Sequence, residues 1–303
     1  GLRSRSPMPH PGEFYRLVLK EARTSTEYHD FSGLPDTFAT EKVNALLAAE
    51  RVRGFELGRG PLLRAQFHRL GPKRLMVSWC FHHLLMDGWC IGILLRELFS
   101  LYQAQPGRRG AAEPLSAPVP LSDYAAWRAR FDEGAAKRHW QSLLEGFRPV
   151  APFSGKAASR AKTEPETHEL VVEAGLAAKL KDFASANSVT LPILVQSLWA
   201  VLLGMETGAR RDVAFGVVTS GRPADLPGIE RTVGLFIQTL PVRAHWEAGD
   251  AFSRLLTDLK EQSLAQMRHG YLPLPAIGRE LFDHLLVFEN YPYETVFDGG
   301  AVE

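Results

Sequence analysis

Phe81-His82-His83-Leu84-Leu85-Met86-Asp87-Gly88-Trp89 is the stretch on which the fold depends. An apolar run, Leu75 to Phe81, precedes it and predicts a buried strand. Ile91, Leu94, Leu95, Leu98 and Tyr102 follow it at the spacing of one helical face. Two histidines, an aspartate and a glycine are therefore expected on a tight strand-to-helix turn. Neighbouring side chains of a strand point to opposite faces, so His82 and His83 cannot both face one cleft. Asp87 and Gly88 fall at the expected helix N-terminus, where backbone N–H groups and the helix dipole favour negative charge. A base with an oriented N–H donor beside it is a workable site for acyl transfer. A single histidine near a strand end is more often structural than catalytic, because short motifs recur by chance. The full His-His-x-x-x-Asp-Gly spacing on strand, turn and helix is far rarer.

Composition narrows the alternatives. The 303 residues are 45% hydrophobic and 23% charged, which is ordinary for globular protein and enough for one large or two mid-sized domains. A net charge of +1 gives no strong field for nucleic acid or an anionic membrane. Cys80 and Cys90, the two cysteines, do not make a disulfide framework and point to a reducing compartment, the cytoplasm. They flank the histidines, but the paired ligand spacing of a zinc site is absent and no metal is expected. No apolar stretch is long enough to span a bilayer.

Along the chain, Phe14 to Lys20 predicts a strand. Val43, Leu46, Leu47 and Glu50 predict a helix stopping before Gly54. Leu63, Ala65 and Phe67 alternate with Arg64, Gln66 and His68, the pattern of a half-buried strand. Residues 105–120, rich in Pro, Gly and Ala, predict a loop. Ser122 is the expected N-cap of the next helix, whose Tyr124 and Trp127 are core candidates. Residues 147–167 have no period and predict an interlobe linker. Leu170 to Val172 predicts a strand, and Leu176, Leu180 and Phe183 a helix. Thr190 and Pro192 open another helix, with Leu194, Leu198 and Leu202 on its expected apolar face. Asp212 to Thr219 predicts a strand ending in Ser220-Gly221-Arg222-Pro223. Phe252, Leu255, Leu256 and Leu259 predict a long amphipathic helix. The alternation predicts an α/β fold with helices mainly over one face of a sheet.

The His-His-x-x-x-Asp-Gly turn resembles the signature of the condensation domains of nonribosomal peptide synthetases, within the chloramphenicol-acetyltransferase-like superfamily. Other stretches carry the same resemblance: Leu2-Arg3-Ser4, Gly54-Phe55-Glu56-Leu57 through Arg64, and Ser122 to Trp127. Val233-Gly234-Leu235-Phe236-Ile237-Gln238-Thr239-Leu240-Pro241-Val242-Arg243 is similar to the fifth core motif, with Gln238 where the family has Asn. His269 to Pro275 is loosely similar to the sixth motif, and Val287 to Pro292 is another family string. The resemblance spans essentially all of the chain and implies that it is less than a whole domain.

It implies an α/β fold of α+β two-layer sandwiches, with two chloramphenicol-acetyltransferase-like lobes in a V-shaped pseudo-dimer. Residues 1–148 would form the N-terminal lobe and 149–303 the C-terminal lobe. It implies peptide-bond formation in an interlobe tunnel, between a donor acyl or peptidyl thioester and an acceptor aminoacyl thioester. Both would ride on the 4'-phosphopantetheine of partner carrier proteins, upstream and downstream, with an adenylation domain adjacent in the polypeptide. No cofactor would bind the monomeric domain directly.

On the family pattern, His83 is the catalytic histidine and His82 is structural. Asp87 has two readings: it orients His83 as in a hydrolase triad, or it forms a structural ion pair with Arg222, as the family pattern implies. Gly88 N–H is the expected oxyanion donor. Ser220, Gln238, Thr239 and Trp89 are candidate substrate contacts, although packing is the plainer role for Gln238 and Thr239. Competing readings are an epimerisation domain, a free acetyltransferase using coenzyme A and a non-catalytic relative that recruits partner enzymes. The fifth-motif similarity counts against coenzyme A, and the stretch after Trp89 resembles condensation domains more than epimerisation domains. Non-catalytic relatives typically lose the second His or the Gly, and this chain keeps both.

Overall fold

In β4 (Leu63–Arg69) two polar side chains, Gln66 and His68, are buried alongside Leu63. A computed structural model describes residues 4–5, 17–18, 23–105, 119–149, 166–208 and 210–289. The chain divides into two compact units. The first takes residues 1–127, 224–236 and 291–303, and the second takes 128–223 and 237–290. Among the described residues this division differs from the expected boundary at 148/149 in two places. Trp140, on α4 (Glu133–Leu144), is buried in the core of the second unit. Residues 224–236 group with the first unit.

The first unit contains β1 (Ser4–Arg5) antiparallel to β2 (Leu17–Val18), which is the described part of the strand expected at 14–20. Its larger sheet has the order β3-β4-β5, with β3 (Ser25–Asp30) parallel and β5 (Leu75–Phe81) antiparallel to β4. α1 (Asp36–Arg53) ends at Gly54, whose φ of 58° suits a residue without Cβ. β5 has the expected bounds, yet Leu75, Met76 and Val77 are exposed. It is the edge strand of three, so an apolar run here does not mean burial on both faces.

β4 departs from expectation for a related reason. Leu63 is buried as expected, but Gln66 and His68 are buried where Ala65 and Phe67 are not. Alternation identifies the strand, while hydrogen bonding decides which face can be covered. Arg64 Nε donates to Glu50 of α1 at 2.6 Å and Arg64 Nη2 to Gly54 O at 2.9 Å. Gln66 Nε2 donates to Glu27 at 3.0 Å, and His68 Nε2 lies 3.0 Å from Ser78 Oγ. Gln66 and His68 thus each bond one neighbouring strand, while Gln66 Oε1 and His68 Nδ1 are buried without a hydrogen-bond partner.

His68 is fully buried and stacks on His29 at 5.4 Å between ring centroids. Burial, with a smaller push from His29, lowers its pKa from the ordinary histidine value. His139 is shifted the same way by burial and by His269. The folded state therefore resists protons that the unfolded chain accepts. This stability is fully present above the unfolded histidine pKa of about 6.5 and is lost as pH falls below it. The melting temperature is expected to be level from pH 8 to 7 and to fall from pH 6.5 to 5. His68→Asn should flatten part of that fall; a wild-type profile level down to pH 5 would contradict the assignment.

The second unit has sheet order β7-β6-β8, with β7 (Gln238–His245) antiparallel and β8 (Leu285–Leu286) parallel to β6 (Asp212–Thr219). Trp140, Leu203, Phe215, Leu240, Leu255 and Leu259 fill its core. These come from α4, α6 (Leu191–Glu206), β6, β7 and α7 (Phe252–His269), so the helix and strand periods converge on one layer boundary. Arg243 holds Asp212 through two 2.8 Å bonds and also donates to Leu143 O and Glu145 O, tying β7 to β6 and to the end of α4. A fork of five donors suits this task, which a lysine could not reproduce.

α6 has the expected start but not the expected face. Leu194 is buried, whereas Leu198 and Leu202 are exposed. The covered residues are Ile193, Leu194, Ser197, Ala200, Leu203 and Gly204. Small residues let the backbone approach closely: a Cβ on Gly204 would meet Arg210 O at 2.6 Å and the Trp246 ring at 2.9 Å. α5 (Ala174–Ala186) likewise buries Ala184 rather than Phe183 or Leu176. Leu170 to Val172 is exposed and not in a strand, because β propensity forms a strand only where a neighbour pairs with it. α3 (Leu121–Arg128) starts one residue before Ser122, whose hydroxyl bonds Asp123 rather than capping. Residues 106–118 of the expected loop and 150–165 of the expected linker lie outside the described residues. No single helix among the described residues is long and apolar enough to cross a membrane.

Candidate active site

The turn between β5 and α2 (Trp89–Gln103) is held by its apolar residues. Leu85 and Met86 are buried with Leu62, Leu63 and Cys90. They lie between the histidines and Asp87 in the chain and anchor the turn, while Leu84 beside them is exposed. His82 N donates to Leu62 O at 3.0 Å, and Leu85 N to His82 O at 2.9 Å, closing the turn.

The two histidines sit differently. His82 is half-buried, accepts the Leu84 N–H at Nδ1 (3.2 Å) and meets Phe55 edge-on at 6.2 Å. His83 is exposed. Gly88 immediately precedes α2, in helical conformation at φ −59° and ψ −32°. Its lack of a side chain is therefore not needed for left-handed backbone. Gly88 O accepts the Ile91 N–H at 3.1 Å.

Asp87 is 0% exposed. Its Oδ2 accepts the Phe236 N–H at 2.9 Å and its Oδ1 the Cys90 thiol at 3.2 Å. Asp87 N–H in turn donates to Gly234 O at 3.3 Å. These bonds favour a carboxylate that organises the turn over one that orients His83 as in a triad. Trp89 donates its indole N–H to Glu230 O at 2.8 Å. That bond makes it an anchor for residues 229–236, in addition to the substrate contact expected of it. Trp127 grips the same segment through Asp225 at 3.1 Å, and Tyr124 packs edge-on against Phe236 at 5.0 Å.

In the second unit, the register gathers four further candidates at one end of the sheet. Thr219 pairs with Gln238 and Val218 with Thr239, so Ser220 and Arg222 follow the strand end next to which β7 begins. Gly221, at φ 57°, makes the left-handed bend between them. Ser220 is exposed, while Arg222, Gln238 and Thr239 are half-buried. Among the described residues, no group of three or more His, Cys, Asp or Glu is placed to hold a metal ion. A cavity of about 160 Å³ lies under α1, lined by Glu50, Arg64, Gln66 and Ser78 among others, and does not include the motif turn. The sequence reading missed Cys90 and the backbone of Gly234 and Phe236, since nothing local links residues so far apart.

Mixed helix and sheet, with a His-His-x-x-x-Asp-Gly turn leading into a helix, place the chain in the condensation-domain class of α/β proteins. The condensation-domain family model matches residues 2–300. Tyrocidine synthase 2 of Brevibacillus parabrevis is 34% identical over 285 residues, 91% of this chain and 8% of that protein. Surfactin synthase subunit 3 of Bacillus subtilis (strain 168) is 35% identical over 289 residues, 92% of this chain and 22% of that protein. The first condensation domain of the calcium-dependent antibiotic synthetase, solved with a substrate analogue, shares the fold. Its TM-score is 0.71 at 23% identity, covering 94% of this chain and 68% of that one. The chain belongs to the condensation-domain family of nonribosomal peptide synthetases. It spans only a small part of the two synthetases.

Proposed function

We propose that this chain forms an amide bond between a donor acyl or peptidyl thioester and an acceptor aminoacyl thioester. The observation that carries the reading is an exposed imidazole, His83, on a turn whose helix N-terminus begins at Gly88, inside a condensation-domain match. Condensation domains of these synthetases generally catalyse peptide-bond formation. The substrates would arrive on 4'-phosphopantetheine arms of an upstream and a downstream carrier protein, with an adenylation domain adjacent, at the tunnel between lobes that the family resemblance implies.

The neutral acceptor amine attacks the donor carbonyl. The carbonyl oxygen becomes an oxyanion, for which Gly88 N–H is the donor at the positive end of the 15-residue α2. The attacking nitrogen becomes acidic, and His83 takes its proton or holds the amine in line. Collapse of the intermediate expels the donor pantetheine thiolate, which takes up a proton. Ser220, Gln238 and Thr239 are proposed to contact substrate. Asp87 and Arg222 are proposed as a structural ion pair.

The test is product formation by the full chain with one carrier protein loaded with a donor and a second with an aminoacyl acceptor. A new amide on the acceptor carrier, seen by intact-protein mass spectrometry, is the expected result. Exchange of the α-proton of a single loaded aminoacyl group, without joining, would replace this reading with epimerisation.

A further inference from the structure

We infer that Cys90 is a positioning residue, whose thiol fixes the Asp87 carboxylate and through it the turn that bears His83 and Gly88. The inference rests on the acyl-transfer reading of that turn. Cys90 is the second residue of α2, 0% exposed and unbridged. Its Sγ lies 3.2 Å from Asp87 Oδ1, 3.4 Å from the Gly234 N–H nitrogen, and 3.2 Å from Gly234 O. The sulfur accepts from Gly234 N–H, and its one proton has two acceptors at 3.2 Å, Gly234 O and the Asp87 carboxylate, of which an ionised carboxylate is the stronger. Asp87 completes the loop by accepting the Phe236 N–H and donating its own N–H to Gly234 O. The result is a clasp of six polar groups in an apolar setting that includes Leu62, Leu63, Leu85 and Met86.

A thiol suits this place. It packs like a small hydrophobe among leucines while supplying one donor. It lies three positions after Asp87, so the first turn of α2 sets the distance. Asp87 is followed directly by Gly88, the proposed oxyanion donor. A carboxylate free to rotate would let that first turn shift, and a displacement of an ångström is costly for aligned reacting groups. Cys80, by contrast, is half-buried on β5 before the turn and has no part in the clasp.

The experiment compares Cys90→Ala with Cys90→Ser in the full chain. Serine keeps a donor and alanine does not. C90A is expected to lower kcat for amide formation by about tenfold or more, the effect of losing a hydrogen bond to a charged group. KM for the acceptor thioester should stay within about twofold, since the substrate's own contacts are untouched. C90S should recover most of the loss. A structural reading alone predicts no rescue by the hydroxyl. Where C90A does not fold, the isosteric pair Cys90→Thr and Cys90→Val repeats the comparison, with threonine the more active.

A second readout stands apart from catalysis: the ¹⁵N–¹H signals of Gly88 and Phe236 should move in C90A and return in C90S. Unmoved signals, wild-type kcat in C90A, or equal loss in C90A and C90S would each overturn the inference. Lack of product from the wild type, with the signals behaving as expected, would instead strike the function proposed above.

Discussion

Replacing His83 by alanine is expected to abolish detectable dipeptidyl product while leaving the circular dichroism spectrum and melting temperature as in the wild type. The two halves of that result have different origins. The imidazole is exposed, and the turn is fixed by buried Leu85 and Met86 and by buried Asp87. Removing an exposed side chain costs little stability. General acid–base catalysis by a positioned histidine contributes about 10²–10⁴-fold in rate, so an end-point assay should find nothing above the uncatalysed background. Intact-protein mass spectrometry of the acceptor carrier measures the first half, and thermal unfolding the second. Normal turnover by His83→Ala would remove His83 from the chemistry. Loss of product together with a collapse in melting temperature would show that the residue supports the fold instead.

The reading of the sequence succeeded where a signal is local. The bounds of β5 and β6, the stop of α1 at Gly54 and the run of α7 follow from short-range periods and breakers. The His-His-x-x-x-Asp-Gly turn was legible because strand, turn and helix signals meet at one place. What failed was the choice of buried face. β4 covers Gln66 and His68 because Glu27 and Ser78 lie where those side chains reach, and no window of sequence contains such pairings. α6 covers Ser197, Ala200 and Gly204 beside Leu194 and Leu203, and at Gly204 the neighbouring backbone and the Trp246 ring leave no room for a side chain. The partners of Asp87 were illegible for the same reason: Phe236 is 149 positions away, and it contributes a backbone N–H, which every non-proline residue carries.

Removing the Asp87 carboxylate is expected to lower stability more than any other change at the turn. Asp87→Ala takes away the acceptor of both the Phe236 N–H and the Cys90 thiol, in a site with no exposure. If Arg222 is its ionic partner, alanine also strands a half-buried guanidinium; breaking a fully buried pair costs about 3–5 kcal/mol, the upper bound here. Urea unfolding of the full chain measures the loss. Arg222→Met and the double variant complete a thermodynamic cycle. An ion pair predicts that the double variant is far less destabilised than the sum of the singles, because the second substitution removes the charge that the first left uncompensated. Additive losses would count against the pair and leave Asp87 as an acceptor for backbone and thiol donors alone. The cycle also governs how activity is interpreted. A carboxylate that only holds the turn loses turnover in proportion to the disorder it causes, so an inactive Asp87→Ala does not by itself make Asp87 a chemical participant. Activity regained in the double variant, alongside regained stability, would place the effect in the architecture of the turn.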